Sequence, residues 1–228
     1  MAQENNTGFY IPEESIKFGI KASTNGTGLF FRTTFPFKNN LSTALDIDLT
    51  SLKNPKEKQI INNRIGNPKP FTYNKINRLY NLRLMGGLHY LFAERNSKNS
   101  INIGFFAVAG PNLGIIKPIF LDVNEIDPNN PNNFIIVARR YNPEIINIAN
   151  IVGNSSYFTG INTLNFTGGL SFKTGAEFNW GNYGSEYKSI EVGFTLDWMP
   201  SKPSLIHKIE NKTLYSGFYI SFALGKNK

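Results

Sequence analysis

The sequence predicts an all-β fold: a closed, antiparallel, up-and-down transmembrane β-barrel of about eight strands with long loops on one side. Three observations carry this. Apolar residues alternate with polar or small ones over long runs, no apolar run is long enough for a spanning helix, and short connections alternate with long ones. Strict alternation places one face of a strand in an apolar medium and the other in a polar one. A spanning helix needs ~20 consecutive apolar residues, whereas the purest runs here are pieces such as Ile135–Ala138 and Phe105–Ala109.

The first strand sets Ile16, Phe18, Ile20 and Ala22 against Lys17, Gly19 and Lys21. Asn25-Gly26 has the chemistry of a hairpin turn and leads to a strand with Leu29, Phe31, Thr33, Phe35 and Phe37 opposite Phe30, Arg32, Thr34 and Pro36. A third strand, Leu41 to Thr50, opposes Leu45, Ile47 and Leu49 to Ala44, Asp46 and Asp48. Two longer ones follow, Ile76 to Glu94 and Ser100 to about Lys117. The clearest alternation comes next, Leu164 to Phe178, where Phe166, Leu170, Phe172 and Phe178 oppose Ser171, Lys173 and Glu177. Ile190 to Trp198 and Leu214 to Leu224 repeat the pattern, with Glu191 and Asp197 on the polar face of the former. These runs exceed the usual soluble strand of about 5–6 residues and reach the ~9–11 that a tilted membrane strand requires. An even count suits a closed bacterial barrel.

The connections Lys38–Asn40, Arg95–Asn99 and Gly181–Ser185 are short and polar, as tight turns are. Residues 51–75, 119–163 and 201–213 are long, and are expected to lie together on the extracellular side. The run 119–163 is too long for plain loop; Phe134 to Tyr141 within it reads as strand-like, and Asp127 to Asn133 as an exposed, mobile tip. The chain is read as one domain, 1–228, with a tail at 1–12. Its start lacks a basic, then apolar, signal segment, and the polar Ala2 to Asn6 suits a mature end after signal removal in a bacterial outer membrane.

The polar face decides which side is inside. Lys17, Lys21, Arg32, Arg83, Lys173, Glu177, Glu191 and Asp197 share it with many glycines, which suits the side-chain-filled lumen of a small barrel. Charges of both signs imply an internal salt-bridge network, since buried charges must be paired. The bulky apolar face suits lipid, and Tyr80, Tyr90, Trp180, Tyr187, Trp198 and Tyr215 near strand ends are expected to form aromatic girdles. The alternative is a soluble lipocalin-like barrel with a lipid inside, whose strands are shorter and whose outer face is more charged.

Little in the sequence points to chemistry. With no cysteine there are no disulfides or thiolate ligands, and the net charge of +8 is spread without the clustered stripe of a nucleic-acid binder. His89, on the face of Arg83 and Met85, reads as a packed lumen or rim residue; His207, with Ser201 and Ser204 nearby, is not a triad by proximity alone. Asp46/Asp48 and Asp122/Glu125/Asp127 read as ordinary loop acids. No cofactor or metal is expected.

Two segments carry a family resemblance. Ser51-Leu52-Lys53-Asn54-Pro55-Lys56-Glu57 precedes Tyr73 to Asn77 and Leu82-Arg83, and Gly110-Pro111-Asn112-Leu113-Gly114-Ile115-Ile116-Lys117-Pro118 follows. With the Glu191/Asp197 strand and Phe218 to Leu224, their order over Thr43 to Gly225 resembles a Bacteroidota family of outer-membrane β-barrel proteins without an established biochemical activity. Gly110-Pro111 should interrupt the ladder and bend the strand at the outer rim, with Lys117 and Pro118 opening the large loop. Leu52, Lys53, Pro55, Lys56 and Glu57 would pack with Gly110 to Pro118, including Asn112, Leu113 and Gly114, as a docking rim. The expected role is a non-enzymatic accessory or anchoring subunit of a larger outer-membrane assembly or secretion complex, in contact with outer-membrane lipids and lipopolysaccharide. A narrow solute channel and a lipid-modifying enzyme are the alternatives.

Overall fold

Among the described residues, alternation becomes architecture through thirteen strands, eight of which close on themselves. The computed structural model describes residues 14–38, 40–66, 68–93, 101–181 and 186–227. The barrel strands are β1 (Ser15–Ser23), β2 (Gly26–Lys38), β3 (Leu41–Leu52), β6 (Asn77–Ala93), β7 (Asn102–Pro118), β11 (Asn165–Gly181), β12 (Glu186–Trp198) and β13 (Leu214–Asn227). Each pairs antiparallel with its neighbours in the order β1-β13-β12-β11-β7-β6-β3-β2, and β1 to β13 closes the ring. Every barrel strand thus pairs with the one before and after it around the wall, the connectivity of an up-and-down barrel.

The remaining strands lie in the long connections. β4 (Lys58–Ile60) and β5 (Phe71–Tyr73) form a hairpin; β8 (Phe120–Asp127), β9 (Asn130–Arg140) and β10 (Ile151–Asn154) form a sheet ordered β10-β8-β9. Run 119–163 is therefore a folded layer rather than open chain, and Phe134 to Tyr141 falls in the β8–β9 hairpin. The asparagine-rich tip is its turn, where Asn129 N–H donates to the Asp127 carboxylate at 2.8 Å. The short turns expected at 95–99 and 182–185, residue 39 and the tail 1–12 lie outside the described residues.

Local chemistry explains several joints. Gly26 sits at φ +144°, and a Cβ there would lie 1.9 Å from the Ser51 carbonyl oxygen, so no larger residue fits between the β1–β2 turn and β3. The β6–β7 ladder skips Leu84/Met85 against Gly110/Pro111 without a shift of register, because Pro111 offers no N–H. A Cβ on Gly110 would meet the Leu84 carbonyl oxygen at 2.1 Å, so glycine lets β6 approach. The expected bend at the rim is corrected accordingly. Gly110 to Gly114 lie in mid-strand within the wall, β7 runs on to Pro118, and only Lys117 and Pro118 reach its end.

Candidate functional site

The lumen comes first, because there the polar faces of all eight barrel strands meet. Lys17, Lys21, Arg32, Arg83, Lys173, Glu177, Glu191 and Asp197 are all buried in it. Asp46 and Asp48 are buried beside them, which corrects their reading as ordinary loop acids: both sit within β3 and face inward. Lys17 and Arg32 are cross-strand partners, as are Glu177 and Glu191. Each like-charged pair would be unfavourable alone; across the narrow lumen they neutralise each other. Lys17 contacts Glu177 and lies 2.6 Å from Glu191, while Arg32 reaches Glu191 at 2.9 Å and Asp46 at 2.6 Å.

A second cluster lies toward the long loops. Arg83 donates through Nε and Nη2 to both oxygens of Asp197, each at 2.7 Å, and through Nη1 to Asp48 at 2.5 Å. Lys21 also contacts Asp48, and Ser171 donates to Asp197 at 2.6 Å. Lys173 joins the clusters, 3.1 Å from Asp46 and 3.6 Å from Asp48. Phe30, Phe106, Tyr219, Met85 and Val108 fill the space between charges. Phe106 lies under the Arg32 guanidinium, 3.7 Å from its ring centre, and Phe30 under Lys173 at 4.4 Å, so the rings also serve as cation faces. Such a lumen is packed with paired charge.

The loop end carries an apolar plug of Leu52, Leu79, Met199, Leu205 and Ile206. Tyr215 packs against this plug and Tyr187 donates to Ser15 inside the opposite end, so neither belongs to an outer girdle. Tyr80, Tyr90, Trp180 and Trp198 take the outward parity of their strands. Outward too go Phe18, Ile20, Leu45, Ile47, Leu84, Leu88, Phe172, Phe218, Ile220 and Leu224, each at least 40% exposed. A large apolar exterior around a charged interior is the inverse of a soluble barrel.

Above the plug the long connections build a cap. Phe71, Ile119, Leu121, Val123, Tyr141 and Ile151 form its core, joining the 53–76 connection to the 119–163 connection. Asn62 clamps the two by donating to the carbonyls of Ile148, Ala149 and Ile151 at 2.9–3.1 Å. Lys75 Nζ donates to Glu57 at 2.6 Å, and burial holds its pKa below the usual lysine value against the opposing pull of that carboxylate. The 52–57 and 110–118 segments do not adjoin along the wall, because β6 separates β3 from β7. Pro55 and Lys56 are exposed in a turn closed by Glu57 N–H to the Asn54 carbonyl, while Leu52 belongs to the plug and Ile116 packs against it from inside.

The β8–β9 hairpin stands out from the cap. Ile126, Phe134 and Ile136 are about 60–70% exposed on one of its faces, with Ile126 paired to Phe134. No described strand pairs with the outer edge of β9. Along the hairpin, Glu125 near the turn takes a bidentate pair of hydrogen bonds from Arg139 near the base, both at 2.7 Å, and these hold its carboxyl below the ordinary range. His89 faces the lumen with Nε2 3.4 Å from Glu177. His207 lies 3.5 Å from Glu144, and Ser201 bonds to Thr167 rather than to a histidine.

No protein-family model and no curated protein sequence matches this chain. Among solved structures it is similar to Ail, the attachment invasion locus protein of Yersinia pestis, with 10% identity, a TM-score of 0.47, and coverage of 96% of this chain and 100% of that one. It is also similar to Neisserial surface protein A at 11% identity, a TM-score of 0.38, and coverage of 94% and 95%. The N-terminal β-barrel domain of Pseudomonas aeruginosa OprF aligns at 7% identity and a TM-score of 0.37, covering 95% and 98%. The closed barrel itself rests on the strand pairing described above.

Proposed function

We propose that this chain is a non-enzymatic β-barrel of a bacterial outer membrane that serves as an accessory or anchoring subunit of a larger outer-membrane assembly or secretion complex. The resemblance of the Leu52-to-Glu57 and Gly110-to-Pro118 segments to a Bacteroidota family of such barrels supports this reading. The observation that carries the reading is the contrast between the two ends of the molecule. The wall is coated with apolar side chains and its interior is occupied by paired charge, so the barrel is suited to holding position in a bilayer. The cap is an organised layer whose hairpin offers Ile126, Phe134 and Ile136 beside the free edge of β9.

A free edge and an apolar face together favour a protein partner that adds a strand and covers the face. Affinity would come from main-chain hydrogen bonds along β9, and selectivity from pockets for Phe134 and Ile136. The test is purification from native membranes in mild detergent, with wild type compared to a variant in which Phe134 and Ile136 are both serine. A partner captured by wild type and lost by the variant supports the proposal. A wild-type chain that always runs alone overturns it.

A further inference from the structure

Among the described residues, the like-charged cross-strand pairs Lys17/Arg32 and Glu177/Glu191 inside the barrel balance each other, whereas one pair at the outer rim has no such counterpart. Arg78 on β6 and Lys117 on β7 are direct cross-strand partners and both take the outward parity of their strands. Leu52 pairs with Leu79, so the next residue, exposed Lys53, emerges from β3 at the level of Arg78. Three cations thus follow one another across three adjacent strands. Among the described residues none of them has a carboxylate within salt-bridge reach. Lys117 is 93% buried, its ammonium donating to the Tyr157 carbonyl and lying 4.0 Å from the Tyr157 ring centre, with the Arg78 guanidinium 5.7 Å from the same ring. Like charges directly opposite on neighbouring strands are unfavourable, and the Tyr157 ring and carbonyl relieve that only in part. A row of cations without a facing carboxylate is suited to an anion.

Directly below the row the outer wall is hollowed. Tyr80, one outward position beneath Arg78, accepts a 2.8 Å hydrogen bond from the Tyr157 hydroxyl and also forms the upper edge of a groove. This groove, of about 730 Å³, runs over the outer wall between Ile20, Ala22, Leu29, Leu49, Ile220 and Tyr80. Its upper row, Ile220, Ala22, Thr27, Ser51 and Tyr80, is a continuous line of cross-strand partners, and small side chains at Ala22 and Thr27 make the hollow. An apolar trough on a barrel wall, ending directly under a row of unbalanced cations at the loop-side edge, has the shape and polarity of one amphiphile.

We propose that this groove and the Lys53–Arg78–Lys117 row form a site for a lipid with a phosphate-bearing headgroup, an acyl chain lying along Ala22 and Leu29 and the phosphate meeting Arg78. The proposal rests on the reading of the barrel as membrane-embedded. The phosphate would accept from the Arg78 guanidinium and be drawn by Lys53 and Lys117, while the chain fills a hollow that ordinary packing of the wall leaves open.

The test uses the full chain folded in neutral detergent and titrated with lipid A, followed by native mass spectrometry. Lipid A stripped of its phosphates and inorganic phosphate are the comparison ligands, and Arg78→Gln/Lys117→Gln is the comparison protein. Loss of these charged contacts should weaken lipid A binding by about tenfold or more. The dephosphorylated lipid should bind the wild type and the variant alike, and inorganic phosphate should not displace lipid A, because without a chain it gains nothing from the groove. Filling the trough by Ala22→Phe should weaken both lipids. Equal binding of lipid A by wild type and the double variant overturns the site, as does displacement by inorganic phosphate or a dimer that covers the groove. Insertion into zwitterionic vesicles separates the two readings. A wild type that fails to insert overturns the membrane reading, and one that inserts but shows no phosphate preference overturns the lipid site alone.

Discussion

Replacing Asp197 by asparagine asks whether the lumen is a dry, paired network or a wet passage. Asp197 accepts two hydrogen bonds from Arg83 at 2.7 Å and one from Ser171 at 2.6 Å. The substitution keeps the shape and one acceptor oxygen, but leaves Arg83 with Asp48 as its only close carboxylate among the described residues, which Lys21 and Lys173 already share. A unit-charge pair near 4 Å is worth about 4 kcal/mol at an effective dielectric of 20 and about 1 kcal/mol in bulk water. Removing one partner of a buried pair costs about 3–5 kcal/mol, because the other charge stays buried and uncompensated. Urea unfolding in lipid vesicles, followed through Trp180 and Trp198, should therefore show Asp197→Asn destabilised by about 3 kcal/mol or more. The double variant Arg83→Met/Asp197→Leu should lose less than the sum of its single changes, since it removes a cation and an anion together. A loss below about 0.5 kcal/mol for Asp197→Asn would refute the packed lumen. Water would then screen these charges, and ion conductance in planar bilayers would become the experiment of choice.

The other predictions follow from single joints of the structure. Gly110→Val places a side chain against the Leu84 carbonyl oxygen and should cost about 3 kcal/mol, read as a lowered urea midpoint or loss of the folded band on an unboiled gel. Phe134→Ser/Ile136→Ser should change barrel stability by no more than about 0.5 kcal/mol, because both side chains are exposed, so loss of a partner from this variant reports docking rather than misfolding. Lys75 has a folded-state pKa below 10.5, so between that value and 10.5 the unfolded chain binds more protons and stability should rise with pH. Urea midpoints measured at increasing alkaline pH should show the gain in wild type and not in Lys75→Met. Protonating Glu125 as pH falls below the usual glutamate range should loosen the hairpin, seen as faster protease cleavage within 124–137 in wild type and a pH-independent rate in Glu125→Gln.

Much of the wall was legible because strand parity is local. Lys17, Lys21, Arg32, Lys173 and Glu177 fall on the face opposite Phe18, Leu29 and Phe172 simply by alternation, and no distant residue can change which face each occupies without slipping the register. Tyr187 and Tyr215 show the limit of reading strand ends from residue type: aromatic chemistry suggested the girdle, while parity, counted from Glu191 and Ser221, turns both inward. Asp46 and Asp48 show a similar limit. Their parity was visible, but their importance lies in Arg32, Arg83 and Lys173, which reach them from other strands.

What the sequence by itself determined is the alternation, the number and up-and-down order of the barrel strands, and the break that Pro111 makes in the ladder. These follow from a period of two and from backbone sterics, which act over neighbouring residues. Only the tertiary structure decided which charge meets which across the lumen, because that depends on ring closure and the register between strands far apart in sequence. It also decided that 53–76 and 119–163 fold together into a cap around Phe71 and Leu121, and that Lys53, Arg78 and Lys117 stand in one row. Each of these comes from segments whose separate patterns carry no trace of the other, and only pairing across the sheet brings them together.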